Sequence, residues 1–495
     1  MPDAVVKMER TAEPNGFLTL MQSFTFVWGF MLIVLVPISL ITMGTGLTLV
    51  WAEGVAGFLI LFTPVLFRRE YDVFEPISFV MLTTTLGFTL RAVYIAFFTN
   101  DNINRELLLA HAKAFVVPGG ALCLIGLVAL VAGYATSFPA INVGKFSFIR
   151  NDLWRTKRLY FIALLFTLVS FGSIVLYVKT LGIGTFVLST LSEKHQYVVE
   201  NAMYKYSSLG YYRWGASLVV PAFYMYLVWF GESKKRLFHP SGILVISMGL
   251  LSLVFPFINS SRSDVISILI ITLVIWHYRR KQLLLKKLVL AMVVCIMLIM
   301  VMTALRKHDI NVNQASSEST SEKIMQTLVG SRNFFGIDKM AHVLDAVPGR
   351  LEYCNGWTFL TWIVAPVPRT MWPEKPVIQI GSIIGQDLYK TKDMSGKGAG
   401  IPPGFVAELY WNFGLLGVPV GMFMLGCFLK VFYKSFLPLL RNNKNALLIY
   451  VSIIMSPAFD LLGNAISPCM IGILLQTIPA VLALYFVGKR RPIEV

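Results

Sequence analysis

The chain has 495 residues, 56% of them hydrophobic and only 14% charged, with a mean hydropathy of +0.68 and a formal net charge of +17. A soluble domain of this length needs far more surface charge, so the composition excludes an ordinary globular enzyme and indicates a polytopic membrane protein. The positive excess reads as cytoplasmic anchors facing anionic lipid, not as a nucleic-acid footprint.

Residues 1–16 are polar and mixed in charge, unlike a cleavable signal peptide. A hydrocarbon core about 30 Å thick needs about 20 apolar residues in a helix that rises 1.5 Å per residue. By that measure twelve spans are predicted, at 24–43, 47–66, 77–98, 114–137, 159–179, 214–231, 242–258, 264–277, 288–305, 412–433, 445–463 and 468–488. Alternate loops collect the cations: Arg68 and Arg69, then Lys145 to Arg158, Lys234 to Arg236, Arg279 to Lys287, Lys434 to Lys444, and Lys489 to Arg491. The positive-inside rule places these loops and both termini in the cytoplasm, which puts residues 305–412 outside. The domain reading is therefore a transmembrane bundle over 1–304, a large outer loop over 305–412 and C-terminal spans over 413–495. No internal repeat is visible. The five cysteines have no paired spacing, and no Asp, Glu or His cluster has metal-ligand spacing.

The outer loop opens with Ser319-x-x-Glu322, a capping-box spacing before a helical pattern predicted over about 320–347. On that pattern Asp338, His342 and Asp345 share one face. The apolar, aromatic stretch from Leu351 to Pro368 is too short to span and is expected to be re-entrant or interfacial. A Gly- and Lys-rich flexible stretch, Gly381 to Gly404, follows.

No nucleotide-binding fingerprint or His-Glu-x-x-His occurs, so chemistry would fall to cations and single carboxylates on the outer face. Arg262 sits in a very short turn before the eighth span. Arg332 lies in Gly330-Ser-Arg332-Asn333. Arg369 and Lys375 lie in the run Pro368-Arg369-Thr-Met-Trp372-Pro373-Glu-Lys375-Pro376. Guanidinium groups bind phosphate oxygens bidentately, and several together suit a pyrophosphate. Arg91 and Asp460 fall inside predicted spans, where an ion costs on the order of 3 kcal/mol unless partnered. Glu408 precedes the tenth span and suits a general base or a sugar-orienting group. Structural alternatives stand beside each. Arg262 can snorkel to headgroups, Arg332 can be solvated, Arg91 can pair with Asp460, and Asp338 with His342 can be an exposed i,i+4 pair. Glu408 can complement the dipole of its own helix.

Asn355-Gly-Trp357, the Pro-Arg-x-x-Trp-Pro-x-Lys-Pro run and Glu408-Leu-Tyr-x-Asn412-Phe-Gly414-x-x-Gly417 together resemble the bacterial oligosaccharide repeat-unit polymerases of O-antigen and exopolysaccharide assembly. The resemblance is best over 255–440. It implies an all-α, GT-C-like integral membrane glycosyltransferase of the bacterial inner membrane. The growing glycan would move from undecaprenyl pyrophosphate to an incoming lipid-linked unit. No metal, nucleotide or other cofactor is implied. Partners would be the lipid-linked oligosaccharide, membrane lipid, a chain-length regulator and other polysaccharide-assembly proteins. Arg262, Arg332, Arg369, Lys375 and Arg91 would hold the pyrophosphate, and Glu408 or His342 would deprotonate the acceptor hydroxyl. An O-antigen ligase, a lipid-linked oligosaccharide transporter and a scaffold subunit of an export complex remain as alternatives.

Overall fold

A computed structural model describes residues 48–66, 72–97, 114–150, 152–180, 206–233, 237–259, 261–280, 336–367 and 402–489, with shorter pieces within 283–301 and 371–387. The described residues are helical and contain no strand; one isolated bridge joins Trp154 to Gly488. The helices are α1 (Thr48–Leu66), α2 (Pro76–Thr84), α3 (Leu90–Phe97), α4 (Val116–Ala135), α5 (Thr156–Thr180), α6 (Tyr206–Ser217), α7 (Val219–Glu232), α8 (Pro240–Ile258), α9 (Arg262–Arg279), α10 (Ile337–Ala346), α11 (Phe405–Phe436), α12 (Lys444–Met455) and α13 (Ile466–Val487).

Nine helical stretches among the described residues are long and apolar enough to cross a membrane. They coincide with nine of the twelve predicted spans. The eighth prediction, 264–277, is the helix α9; it is only 18 residues long and carries Arg262, Asp264 and Arg279 within them, so it is not among the nine. The prediction over 24–43 lies outside the described residues, and that over 288–305 is described only in fragments.

Two π-helical turns interrupt the spans. Thr85–Thr89 joins α2 to α3, and Ser456–Asp460 continues α12. Such turns shift the register of the residues that follow. Here Arg91 and Asp460 lie at or just beyond them. The broadest helix contact is α4 on α11. It is a close one: a Cβ at Gly133 would overlap the Phe423 carbonyl, and one at Gly426 the Leu130 carbonyl. Small residues let the two backbones approach, as membrane helices require when solvent gives no hydrophobic drive between them.

Hydrogen bonds between loops sort the molecule into two ends. At one end Arg155 N donates to Val487 O at 3.0 Å, and Lys489 N to Leu153 O at 2.8 Å. There too Trp154 Nε1 donates to Asn445 Oδ1 at 2.6 Å, Lys444 Nζ to Glu232 Oε2 at 2.8 Å, and Tyr278 to Asp72 Oδ2 at 2.5 Å. These are the loops that the Lys and Arg pattern assigns to a common side. The other end holds the first turns of α4, α9 and α13, all of α10, and the described parts of the segment from Val347 to Pro376 that closes over them.

That segment departs from expectation. The helix predicted over about 320–347 is described only as Ile337–Ala346; 320–335 lie outside the described residues. The aromatic stretch is not an interfacial helix. It is a chain of turns, with bonds from Leu360 N to Trp357 O, Ile363 N to Leu360 O, Ala365 N to Trp362 O and Val367 N to Val364 O. Pro366 and the left-handed Asn355 and Gly356 prevent a continuous helix. Part of the predicted flexible stretch, Gly381–Asp387, is a short helix. Helix α11 begins at Phe405, inside the predicted loop.

Candidate functional site

α10 carries Asp338, Lys339 and His342, and all three are buried. The expectation of an exposed Asp338–His342 pair is therefore overturned: the helix lies against α4, with Ala341 N only 3.1 Å from where a Cβ of Gly119 would stand. Ions enclosed in this way need partners. Arg91, at 0% exposure, donates from Nη1 to Asp338 Oδ1 at 3.0 Å. Lys339 Nζ donates to the Gly463 carbonyl at 3.2 Å. Asp460 accepts from Asn464 Nδ2 at 3.0 Å. Arg91 thus pairs with Asp338 of α10, a partner that the sequence reading did not offer.

The second half of the site is built around Gly414. Its φ of 65° and ψ of −156° break α11 into Phe405–Phe413 and a span beyond. That combination is open to glycine almost alone. The turn is so sharp that Leu409 lies against Gly417 and Gly421, where side chains would collide with it. In a straight helix Leu409 and Gly421 would be about 18 Å apart at 1.5 Å per residue.

The doubled-back piece grips the strap of turns. Tyr410 donates to Val347 O at 3.2 Å, and Trp411 Nε1 to Glu352 O at 3.0 Å. Cys354 N donates to Trp411 O at 3.0 Å. Asn355 and Gly356, with φ of 48° and 83°, form a turn closed by Trp357 N to Cys354 O at 2.9 Å. Two central residues with positive φ are the reason that Asn-Gly suits the place. Gly356 N then donates to Asn412 Oδ1 at 3.0 Å, while Asn412 Nδ2 reaches Thr358 Oγ1 at 2.7 Å and Glu408 O at 2.8 Å.

Glu408, at 0% exposure, has both oxygens engaged. Thr358 Oγ1 donates to Oε1 at 2.8 Å, and Ile466 N donates to Oε2 at 2.7 Å. Ile466 is the first residue of α13, whose N-cap Ala465 offers no side-chain acceptor. The carboxylate therefore caps a different helix from its own, meeting an orphan amide at the positive end of the α13 dipole. It also stands in the first turn of α11, where the sequence expectation put it. Ser467 Oγ donates to Thr358 O at 2.6 Å and accepts from Thr361 at 2.7 Å, which completes the junction.

Of the other predicted residues, Lys375 is buried and donates from Nζ to Ala365 O and Val367 O, each at 2.8 Å. It holds the strap's last turns together. Arg262 is the first residue of α9 and half-buried; Asp264, two residues on, lies close enough to Asp460 for the charges to interact. Arg332 and Arg369 lie outside the described residues. Arg91 thus meets α10, which carries His342, while Glu408 meets the strap and α13, and Lys375 is bonded within the strap. No three His, Cys, Asp or Glu side chains among the described residues are placed to hold a metal ion. None of the five cysteines forms a disulfide. Burial, and after it the Glu408 carboxylate, pushes the Cys354 thiol up from its ordinary pKa.

Sequence reasoning missed Lys339 and Glu53. Glu53, in α1, points at Gly120, where a Cβ would overlap its carboxylate, and at Ile337. Its Oε2 is buried without a hydrogen-bond partner among the described residues. A lone carboxylate in the apolar run 47–66 was the available signal.

A family model described as a domain of unknown function (DUF8712) matches residues 243–435. No curated protein and no solved structure matches the chain. The matched stretch holds α9, α10, the strap and Glu408, whereas Glu53, Arg91 and the α13 amide that Glu408 caps come from outside it.

Proposed function

We propose that this protein is a membrane-embedded glycosyltransferase that polymerises lipid-linked oligosaccharide repeat units on the Glu408 side of the bilayer. The supporting observation is the enclosed group of ionisable side chains (Glu53, Arg91, Asp338, Lys339 and His342) at one end of a membrane bundle. It is closed by a strap whose continuation bears the Pro-Arg-x-x-Trp-Pro-x-Lys-Pro run. Intramembrane charge is expensive and is retained mainly where it serves chemistry or transport.

In this reading the acceptor sugar hydroxyl attacks the anomeric carbon of the growing chain. The bond to the pyrophosphate oxygen breaks, and the lipid diphosphate leaves with the electron pair. Arg262, Arg332 and Arg369 stabilise the charge that develops on it. The proton of the attacking hydroxyl passes to Glu53 or His342. Glu408 and Lys375 act as positioning residues, since their polar atoms are bonded to α13 and to strap carbonyls. Arg91 holds Asp338 and so fixes α10.

Purified protein reconstituted with lipid-pyrophosphate-linked repeat units tests the reading. A ladder of products is expected, lost in Arg369→Ala while the melting temperature is kept. A ladder from Arg369→Ala would remove that residue from the mechanism. Transfer of one finished glycan to lipid A core would identify a ligase. Movement of the lipid-linked unit across the bilayer with no new glycosidic bond would identify a transporter.

A further inference from the structure

The end of the bundle opposite Glu408 has an apolar cleft of about 640 Å³. That lies within the range of about 300–1,000 Å³ that ligand pockets occupy. One wall is a stripe of α11 that includes Phe428 and Phe432. The other comes from the loop between α4 and α5, with Phe138, Ile141 and Phe146; Ile453 of α12 forms the floor. Phe432 lies 18 residues beyond Gly414, about 27 Å along the helix axis, so the cleft sits at the other face of the membrane from the candidate site.

The loop is anchored by its polar groups. Ile141 N donates to Ser435 Oγ at 2.8 Å, Asn443 Nδ2 to Ile149 O at 2.9 Å, and Asn445 Nδ2 to Phe148 O at 2.6 Å. Its apolar side chains are left outward, with Phe138, Ile141 and Phe146 at 41%, 58% and 50% exposure. Cations border them. Lys145 lies between two lining residues, and Arg150 follows the lining Ile149. Lys434 adjoins Ser435 and reaches the Phe138 carbonyl at 3.4 Å. All three are exposed, and residues 136–151 contain no acidic residue.

We propose that this cleft binds one anionic phospholipid, with an acyl chain between the α4–α5 loop and α11 and the headgroup phosphate on Lys145, Arg150 and Lys434. An apolar slot within a membrane span, bordered by basic side chains where the span meets the headgroups, matches both parts of such a molecule. A water-soluble partner would match only the cations. The proposal does not depend on the catalytic reading.

The full-length protein, purified in detergent and offered equal amounts of phosphatidylglycerol and phosphatidylcholine, is examined by native mass spectrometry. One retained phosphatidylglycerol is expected. Val431→Trp, which fills the cleft, should lower its retention by about tenfold, equivalent to about 1.4 kcal/mol. The triple change Lys145→Gln, Arg150→Gln and Lys434→Gln should abolish the preference over phosphatidylcholine. If Val431→Trp fails to melt cooperatively, Ile453→Trp replaces it, and the surface triple variant stands independently. Equal retention of the two lipids by the parent, or undiminished phosphatidylglycerol on the filled and neutralised variants, would overturn the proposal.

Discussion

At the Asp72 end carboxylates collect several donors from neighbouring helices, whereas at the Glu408 end a short helix grips the backbone of an irregular strap. Asp72 Oδ2 accepts from Tyr278 at 2.5 Å and Tyr433 at 3.0 Å, and its Oδ1 accepts from Phe74 N at 3.0 Å. Glu75 Oε1 accepts from both Tyr134 and Lys430. Each carboxylate there has more than one donor, so losing one hydroxyl leaves it bonded. At the Glu408 end three carboxylate oxygens have one donor each among the described residues: Thr358 and the Ile466 amide serve the two oxygens of Glu408, and Arg91 serves Asp338 Oδ1. Redundancy suits a fixed junction, and single donors make every member of the second junction sensitive to substitution.

The comparison is tested most severely at Arg91. Arg91→Ala strands Asp338 among the spans, and a loss of about 3–5 kcal/mol is expected in detergent thermal unfolding. The double change Arg91→Met with Asp338→Leu should recover most of it. An Arg91→Ala protein that melts like the parent would contradict the single-donor account. Gly414→Ala forces a side chain into a conformation close to glycine-only, at about 1–3 kcal/mol, and should expose the strap to limited proteolysis. Glu408→Gln leaves one oxygen to accept from either the Ile466 N–H or the Thr358 hydroxyl but not both, and a loss of about 1–3 kcal/mol is expected. Thr358→Val should share the defect, and any product ladder in the reconstituted assay should fall with stability in both variants.

Changes at the Asp72 end should be milder. Tyr278→Phe is expected to cost about 0.5–1.5 kcal/mol, since Tyr433 and Phe74 N still serve Asp72. Lys444→Gln breaks a contact to the half-exposed Glu232 and should shift melting by no more than about 1 kcal/mol. The finest test is chemical. Because burial raises the Cys354 pKa, its thiolate fraction at neutral pH is below that of a free cysteine. Maleimide labelling of Cys354 should be slow at pH 7 and accelerate as pH rises. Rapid labelling at pH 7 would mean that the strap is open.

Apolar runs made nine spans readable, because a helix in lipid must satisfy its backbone within itself and so declares its length in sequence. Asn355-Gly356 was visible as part of a motif and Glu408 as a carboxylate before a span, but the turn that Asn355-Gly356 makes was not read from them. Nor were the partners. Lys339 meets Gly463, and Glu408 meets Ile466, across long separations that only the assembled bundle brings together. Asn412-Phe-Gly414-x-x-Gly417 is visible as a pattern, but its meaning, a break followed by a flat face for Leu409, depends on a dihedral angle. Asp338 and His342 were expected as an exposed pair because, with Asp345, they look soluble in one dimension. Both turn inward, as does Lys339, whereas Asp345 pairs with Arg350 near the surface.

The elbow at Gly414 limits how this end can move. Phe413, Leu415 and Leu416 form its tip, at 51%, 66% and 78% exposure. Hydrocarbon is the only comfortable medium for them. Raising the elbow into water would strip lipid from all three, at about 1.5–3 kcal/mol for each side chain wholly withdrawn. The strap is riveted to the same short helix and would have to rise with it. A molecule that reaches the interior of this end would therefore enter sideways, from the plane of the bilayer, instead of descending through a lifted roof.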